Sequence, residues 1–316
     1  MEKTKVIAVV GPTASGKTAL AIRLAKALGG EVISADSMQI YKGMDIATAK
    51  PSIAEQDGVP HHLIDFLDPE TPYSVAQYVA DAAACISDIV SRGRVPIVAG
   101  GTGLYVDSLL GGIDFGFVPD NGEMRKKLKE KLEKQGAASL LEELRQVDPE
   151  TASLLHENNQ GRIIRALEVY YLTGETIAEQ KRKSREKGTA YDALYIGIDF
   201  ADREKLYERI DRRVDQMVEA GLLAEAERYL SLGEETTAKQ AIGYKELRPY
   251  FKGECTLDEA LANLKKETRH YAKRQMTWFR RNQDIFRVYP DADPEFAEKA
   301  VERAREFIRL MRRSEE

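Results

Sequence analysis

A parallel α/β sheet flanked by helices, interrupted by an all-helical insertion, is the fold this sequence predicts, and three observations predict it. Residues 11–18 read Gly-Pro-Thr-Ala-Ser-Gly-Lys-Thr, the pattern G-x-x-x-x-G-K-[ST], directly after an apolar run at 6–10 and directly before a helical stretch at 19–28. Apolar runs at 6–10, 31–35, 62–66, 95–99 and 194–200 alternate with helical periodicity at 19–28 and 75–90. That alternation is the signature of parallel strands joined by crossover helices. From about 121 to 187 the chain turns to charged, Leu-rich helical periodicity with no strand. The expected organisation is a P-loop NTPase-like core from 1–120 and 188–316, with a helical insertion domain at 121–187.

The strand at 6–10 delivers the chain to the loop, where Gly11 and Gly16 let the backbone curl and Pro12, Thr13, Ala14 and Ser15 complete the hollow. Successive N–H groups then face one point at a helix N-terminus, which attracts anions. Lys17 adds a mobile positive charge, and the Thr18 hydroxyl is placed to ligate Mg²⁺. The second strand ends in Ala35-Asp36-Ser37-Met38-Gln39, which puts a carboxylate close to this loop. Ligand chemistry in such sheets gathers at the carboxyl ends of strands. The competing reading of Asp36 is a helix cap or a structural turn. A polar segment with two lysines occupies 41–51. The strand at 95–99 runs into Gly100-Gly101-Thr102-Gly103, where small residues allow close backbone approach and Thr102 offers a hydroxyl. After the insertion and the strand at 194–200, the chain ends in long helices, with a short strand expected at 286–289.

The 316 residues leave room for two domains, and 43% hydrophobic content describes an ordinary globular protein. With no apolar run of membrane-spanning length and no signal-peptide core after Lys3 and Lys5, a cytoplasmic protein without membrane contact is expected. Cys85 and Cys255 form no C-x-x-C pair, which disfavours a disulfide framework and a zinc site. The net charge of −5 argues weakly against nucleic acid, but its distribution argues the other way. Between 265 and 281 stand seven Lys/Arg and His270 against one acid, Glu267. At helical spacing His270, Arg274, Thr277, Trp278 and Arg281 share one stripe, and Leu264, Thr268, Ala272, Met276 and Phe279 share a more apolar one. Basic groups beside aromatics suit a phosphate backbone with an unstacked base. The bland alternative is a solvated helix face, and the basic run at 181–187 reads more readily that way.

The series of motifs resembles the tRNA dimethylallyltransferase family, also called tRNA isopentenyltransferases. The residues that carry the resemblance are the phosphate loop, Ser34-Ala35-Asp36-Ser37-Met38-Gln39-Ile40-Tyr41-Lys42-Gly43-Met44-Asp45-Ile46-Ala47-Thr48-Ala49-Lys50-Pro51, and Gly100 to Tyr105. Arg162-Ile163-Ile164-Arg165-Ala166-Leu167-Glu168, Arg209-Ile210-Asp211-Arg212-Arg213-Val214-Asp215, Gln240 to Glu246, and Thr268 to Trp278 come next in order. Ala47 stands where many relatives have Gly. No Cys occurs after Cys255 and no His after His270, so the resemblance is to the compact bacterial form, in which the zinc-finger extension of eukaryotic relatives is not expected.

The resemblance implies transfer of a dimethylallyl group from its diphosphate to N6 of the adenosine 3′ to the anticodon, with Mg²⁺ as cofactor and the anticodon stem-loop of tRNA as partner. It implies that Lys17, Thr18 and Arg213 (with Arg209 in reserve) act on the leaving diphosphate, and that Asp36 is the general base. It places Ser37, Met38 and Gln39 around the flipped nucleotide, and Thr102, Arg125, Gln160, Gly161, Arg162, Ile163, Ile164 and the stretch from Gln240 to Lys245 near tRNA. It also raises the expectation that the basic helix, through Lys273 and Arg274, touches RNA. A monomer is expected. The rival readings are a P-loop small-molecule or nucleotide kinase binding ATP, a nucleotide-regulated RNA-binding protein without catalysis, and a prenyltransferase acting on free adenine nucleotides. The first two leave several of these motifs without a purpose, and the carboxyl-terminal motifs argue against the third.

Overall fold

The structure, a computed structural model, describes residues 3–113, 122–231, 238 and 241–312. Along the chain run β1 (Thr4–Val10), α1 (Lys17–Leu28), β2 (Gly30–Ser34), α2 (Ile53–Gln56), β3 (His61–His62), α3 (Val75–Ser91), β4 (Val95–Gly100) and α4 (Gly103–Leu110). Next come α5 (Glu123–Val147), α6 (Pro149–Ser153), α7 (Gln160–Thr173) and α8 (Ile177–Lys187). The chain then forms β5 (Tyr191–Ile198), α9 (Arg203–Glu219), α10 (Leu222–Ser231), α11 (Arg248–Phe251), α12 (Leu257–Phe279), β6 (Phe286–Val288) and α13 (Phe296–Arg312). Two compact units result, one from 1–110 with 191–316 and the other from 111–190.

The six strands pair in the order β3-β2-β4-β1-β5-β6, all in parallel. β1 lies in the middle and is buried on both faces, which is why it reads as an unbroken apolar run. Its side chains alternate. Ile7 and Val9 pack with Leu20 and Leu24 of α1 and Ala300 and Ala304 of α13, while Val6, Ala8 and Val10 pack with Ile86 of α3 and Val106 of α4. Each fully buried Val, Leu or Ile side chain among these is worth about 1.5–3 kcal/mol. Reciprocal capping boxes start α3 (Ser74 with Gln77) and α12 (Thr256 with Glu259). A third cluster joins Ile40, Tyr41 and Met44 to Val214 of α9, Leu222 of α10 and Leu264 of α12.

The strand expected at 62–66 is corrected: only His61 and His62 pair, because Leu63 and Asp65 take left-handed backbone conformations (φ 56° and 55°) that end the ladder. The Asp65 carboxylate instead accepts hydrogen bonds from Lys50 (2.5 Å) and the Gly43 amide (3.3 Å). β5 starts at Tyr191, earlier than its apolar run, because its register with β1 begins at Thr4 opposite Tyr191. In the second unit, α5 and α7 pack through Leu128, Leu140, Leu144, Ile163, Ile164 and Leu167. Among the described residues no helix is long and apolar enough to cross a membrane, and both cysteines are free.

Candidate active site

Parallel strands put their carboxyl ends on one edge, and there the loops after β1, β2 and β4 meet. The first is the phosphate loop. Gly16 takes φ 94° to turn the chain into α1, and Ala14 sits at φ 60°, a left-handed conformation that costs a non-glycine residue. The Lys17 ammonium folds back to donate to the Pro12 carbonyl at 2.6 Å. Burial, and after it the nearby Arg213 charge, pulls its pKa down to about 8, against which Asp36 works. The Ser15 hydroxyl is buried with no hydrogen-bond partner among the described residues, whereas Thr18 is exposed. A group that brings anionic oxygens satisfies all of these at once.

Asp36 stands just beyond β2. Its Oδ1 accepts from the amides of Met38 (2.9 Å) and Gln39 (3.3 Å), an Asx turn that holds the carboxylate in place. Its Oδ2 makes none of the hydrogen bonds among the described residues. Asp36 therefore combines the structural turn with one oxygen left for chemistry. Thr102, expected beside RNA, uses its hydroxyl to accept from the Ser37 amide at 3.2 Å, which ties the loop after β4 to the Asp36 turn. Gln39 likewise turns inward and donates to the carbonyls of Thr48 (3.2 Å) and Ala49 (3.3 Å).

The two arginines of α9 separate clearly. Arg213 reaches the phosphate loop, 3.5 Å from the Thr13 hydroxyl, and its pKa is lowered by burial against the opposing pull of Asp36 and Glu55. The carboxylates beside it in sequence are engaged elsewhere, Asp211 by Arg269 and Asp215 by Lys265. Arg209 instead donates from Nε to the Ala14 carbonyl at 3.0 Å and lies over the Phe200 ring. Arg213 faces the cavity and Arg209 braces the loop.

Two adjoining cavities meet at Asp36. One of about 140 Å³ is walled by the phosphate loop with Gln39, Ala49 and Gly100; the other, of about 300 Å³, is walled by Met38, Met217, Ile242, Lys245 and Leu264. Asp36, Thr48, Arg213 and Tyr271 line both. The smaller is polar and closed by phosphate-binding groups, and the larger is mainly apolar with a cationic margin.

Lys273 and Arg274 are exposed on α12 with no carboxylate partner among the described residues. Of the other cations there, Lys265, Arg269 and Arg280 are held in ion pairs with Asp215, Asp211 and Asp199. Trp278 does not project outward with them: its indole donates to Asp107 at 2.7 Å. In the second unit Gln160, Gly161 and Arg162 are exposed at the start of α7. Arg125 pairs with the buried Glu168 at 2.7 Å. Ile163 and Ile164, at 1% and 6% exposure, belong to the core of that unit. Gln240 lies outside the described residues.

The sequence matches the IPP transferase family over residues 39–282 and the isopentenyl transferase family over residues 4–65. It is 47% identical over 288 residues to the tRNA dimethylallyltransferase of Acetivibrio thermocellus, covering 90% of this chain and 92% of that one. The chain belongs to the tRNA dimethylallyltransferase family. The family's Geobacillus thermodenitrificans member is 48% identical over 300 residues, with 94% of each chain covered. Among solved structures, the tRNA isopentenylpyrophosphate transferase of Bacillus halodurans matches with a TM-score of 0.71 at 43% identity, covering 97% of this chain and 96% of that one. A eukaryotic dimethylallyltransferase captured acting on tRNA matches with a TM-score of 0.85 at 31% identity, covering 97% and 80%.

Two residues of this tRNA dimethylallyltransferase family chain join the site without having been expected there. Gln275, 5% exposed, accepts from the Thr13 amide at 2.8 Å and donates to the Gly101 carbonyl at 3.0 Å, so α12 fastens two glycine loops together. A Cβ on Gly101 would stand 2.1 Å from the Gln275 side-chain nitrogen, so any larger residue there would push this clamp aside. Tyr271 lines both cavities near Asp36, with its phenol pKa raised by burial and by that carboxylate. The available signal was spacing: Tyr271, Gln275 and Trp278 share one helical stripe.

Proposed function

We propose that this chain transfers a dimethylallyl group from dimethylallyl diphosphate to N6 of the adenosine immediately 3′ to the anticodon, tRNA position 37, releasing diphosphate and leaving N6-dimethylallyladenosine. Membership of the family supports the reading, and one observation carries it: an Asp36 oxygen with no hydrogen bond among the described residues lies where a phosphate-binding cavity joins a base-sized one. The diphosphate occupies the phosphate loop, held by its amides, the Ser15 hydroxyl, Lys17 and Arg213. As the allylic C–O bond breaks, its electron pair leaves with the diphosphate, and these groups stabilise the growing charge. N6 is a poor nucleophile because its lone pair is delocalised into the ring. Asp36 Oδ2 removes its proton as the N–C bond forms. The adenine reaches the larger cavity by leaving the stack of the anticodon loop.

The Thr18 hydroxyl, an oxygen donor beside the phosphate cavity, suits a hard cation such as Mg²⁺. No cluster of three or more His, Cys, Asp or Glu side chains able to hold a metal exists among the described residues. This donor set is the kind that leaves Mg²⁺ to be completed by substrate phosphates and water. Mg²⁺ held there supplies charge neutralisation of the diphosphate. The protein works in the cytoplasm as a monomer. A P-loop kinase would place ATP in the same loop, and the relatives do not favour it. Incubation with labelled dimethylallyl diphosphate, Mg²⁺ and either tRNA, AMP or no acceptor tests the reading. Label in tRNA is the expected result; label in AMP alone, or in none, overturns it.

A further inference from the structure

The two walls of the larger cavity come from distant parts of the chain. Ala47 and Thr48 stand on one side, and Ala241, Ile242, Gly243 and Lys245 on the other. Both are fastened to a single side chain that lines neither of the two cavities, Glu225 of α10. Its Oε2 accepts from the amides of Asp45 (2.9 Å) and Ile46 (2.8 Å), and its Oε1 from the amide of Ala47 (2.9 Å). Three successive N–H groups converging on one carboxylate form an anion nest. The same Oε1 accepts from the Tyr244 hydroxyl at 2.9 Å, which brings in the opposite wall. Tyr244 is fully buried and stacks on Tyr229 at 5.5 Å, and the Tyr229 hydroxyl donates to the Lys42 carbonyl at 2.9 Å. Glu246 completes the far side by accepting from the Gly243 amide at 2.9 Å.

We infer that Glu225, with Tyr244, is a positioning residue that sets the width of the acceptor cavity and so governs how tightly the flipped nucleotide is held. The inference rests on the proposed function, because it assigns this cavity to the acceptor. Charge complementarity makes the clip specific. A carboxylate offers lone pairs to four donors at once, whereas a carboxamide has one oxygen for them and turns its NH₂ toward N–H groups. The donor side is fixed independently, by Gln275 on Thr13 and Gly101 and by the Asx turn of Asp36. Loosening the clip therefore separates acceptor binding from donor binding.

Steady-state transfer to tRNA, with pyrophosphate affinity measured alongside, tests this in Glu225→Gln and in the milder Tyr244→Phe, which keeps the ring stack and removes only the hydroxyl. Wild-type transfer checks the functional reading first; its absence overturns that reading and with it the inference. Given wild-type transfer, Glu225→Gln is expected to raise KM for tRNA at least about tenfold and Tyr244→Phe about threefold or more. In both, kcat stays within about threefold and pyrophosphate affinity is unchanged. Unaltered KM for tRNA in both variants overturns the inference. So does a Tyr244→Phe variant whose KM rises only in step with lost pyrophosphate affinity, since that marks general loosening of the fold.

Discussion

Asp36 and Lys17 are where single atoms decide the chemistry. Asp36→Asn keeps an oxygen for the Met38 and Gln39 amides and so preserves the turn, while the remaining atom can no longer take a proton. A positioned base contributes about 10²–10⁴-fold. Turnover is expected to fall at least about a hundredfold with tRNA and donor affinities little changed; near-normal turnover places the base elsewhere. Lys17 predicts a pH dependence. Free, it titrates at about 8, below its ordinary 10.5, so it is protonated and attractive to anions below that value and neutral above it. Diphosphate affinity should therefore decline as pH rises through about 8, and binding near pH 8 should take up a proton, seen as a buffer-dependent heat in calorimetry. Lys17→Arg keeps its charge through this range and should remove the decline attributable to this side chain. An identical profile in both proteins assigns the titration to another group.

Helix α12 serves two purposes on two faces. Inward, Gln275 holds the phosphate loop; Gln275→Leu leaves the Thr13 amide and the Gly101 carbonyl unpaired, at a cost of about 1–3 kcal/mol for each buried group. A lower melting temperature and weaker pyrophosphate binding are expected together; unchanged pyrophosphate affinity in the folded variant means the loop needs no such clamp. Outward, changing Lys273 and Arg274 to Ala should weaken tRNA binding and reduce the log–log salt slope by roughly 0.7–0.9 for each lost phosphate contact. An unaltered slope identifies a merely solvated face. Strands β1 and β4 were legible in the sequence because they are buried on both faces and leave continuous apolar runs. β3 was misread because a run of apolar residues carries no sign that Leu63 and Asp65 turn left-handed. The phosphate loop and Asp36 were legible as local motifs. Gln275 and Glu225 were not, since their roles come from partners 262 and about 180 residues away.

For the molecule as a whole, the residues of the 111–190 unit fall, along the chain, between β4 and β5. The unit has its own core, around Leu140, Leu144 and Leu167, so its interruption of the sheet does not cost it internal packing. The sheet, by contrast, is completed only by strands that the chain reaches after residue 190. Residues 1–190 alone lack β5 and β6, and this fragment is expected to be insoluble and to gain solubility when 191–316 is coexpressed. A soluble, cooperatively melting 1–190 fragment shows instead that β1 needs only β4.

The pairing of Thr4 with Tyr191 also has a consequence in time. A ribosome adding about 5–20 residues per second takes roughly 9–36 s to make residues 11–190, and throughout that interval β1 offers an open edge of unpaired amides and carbonyls. An apolar strand with such an edge invites other nascent chains to add to it. This edge hazard therefore belongs to the protein's synthesis: the growing chain must leave β1 short of its second neighbour until the helical insertion has passed.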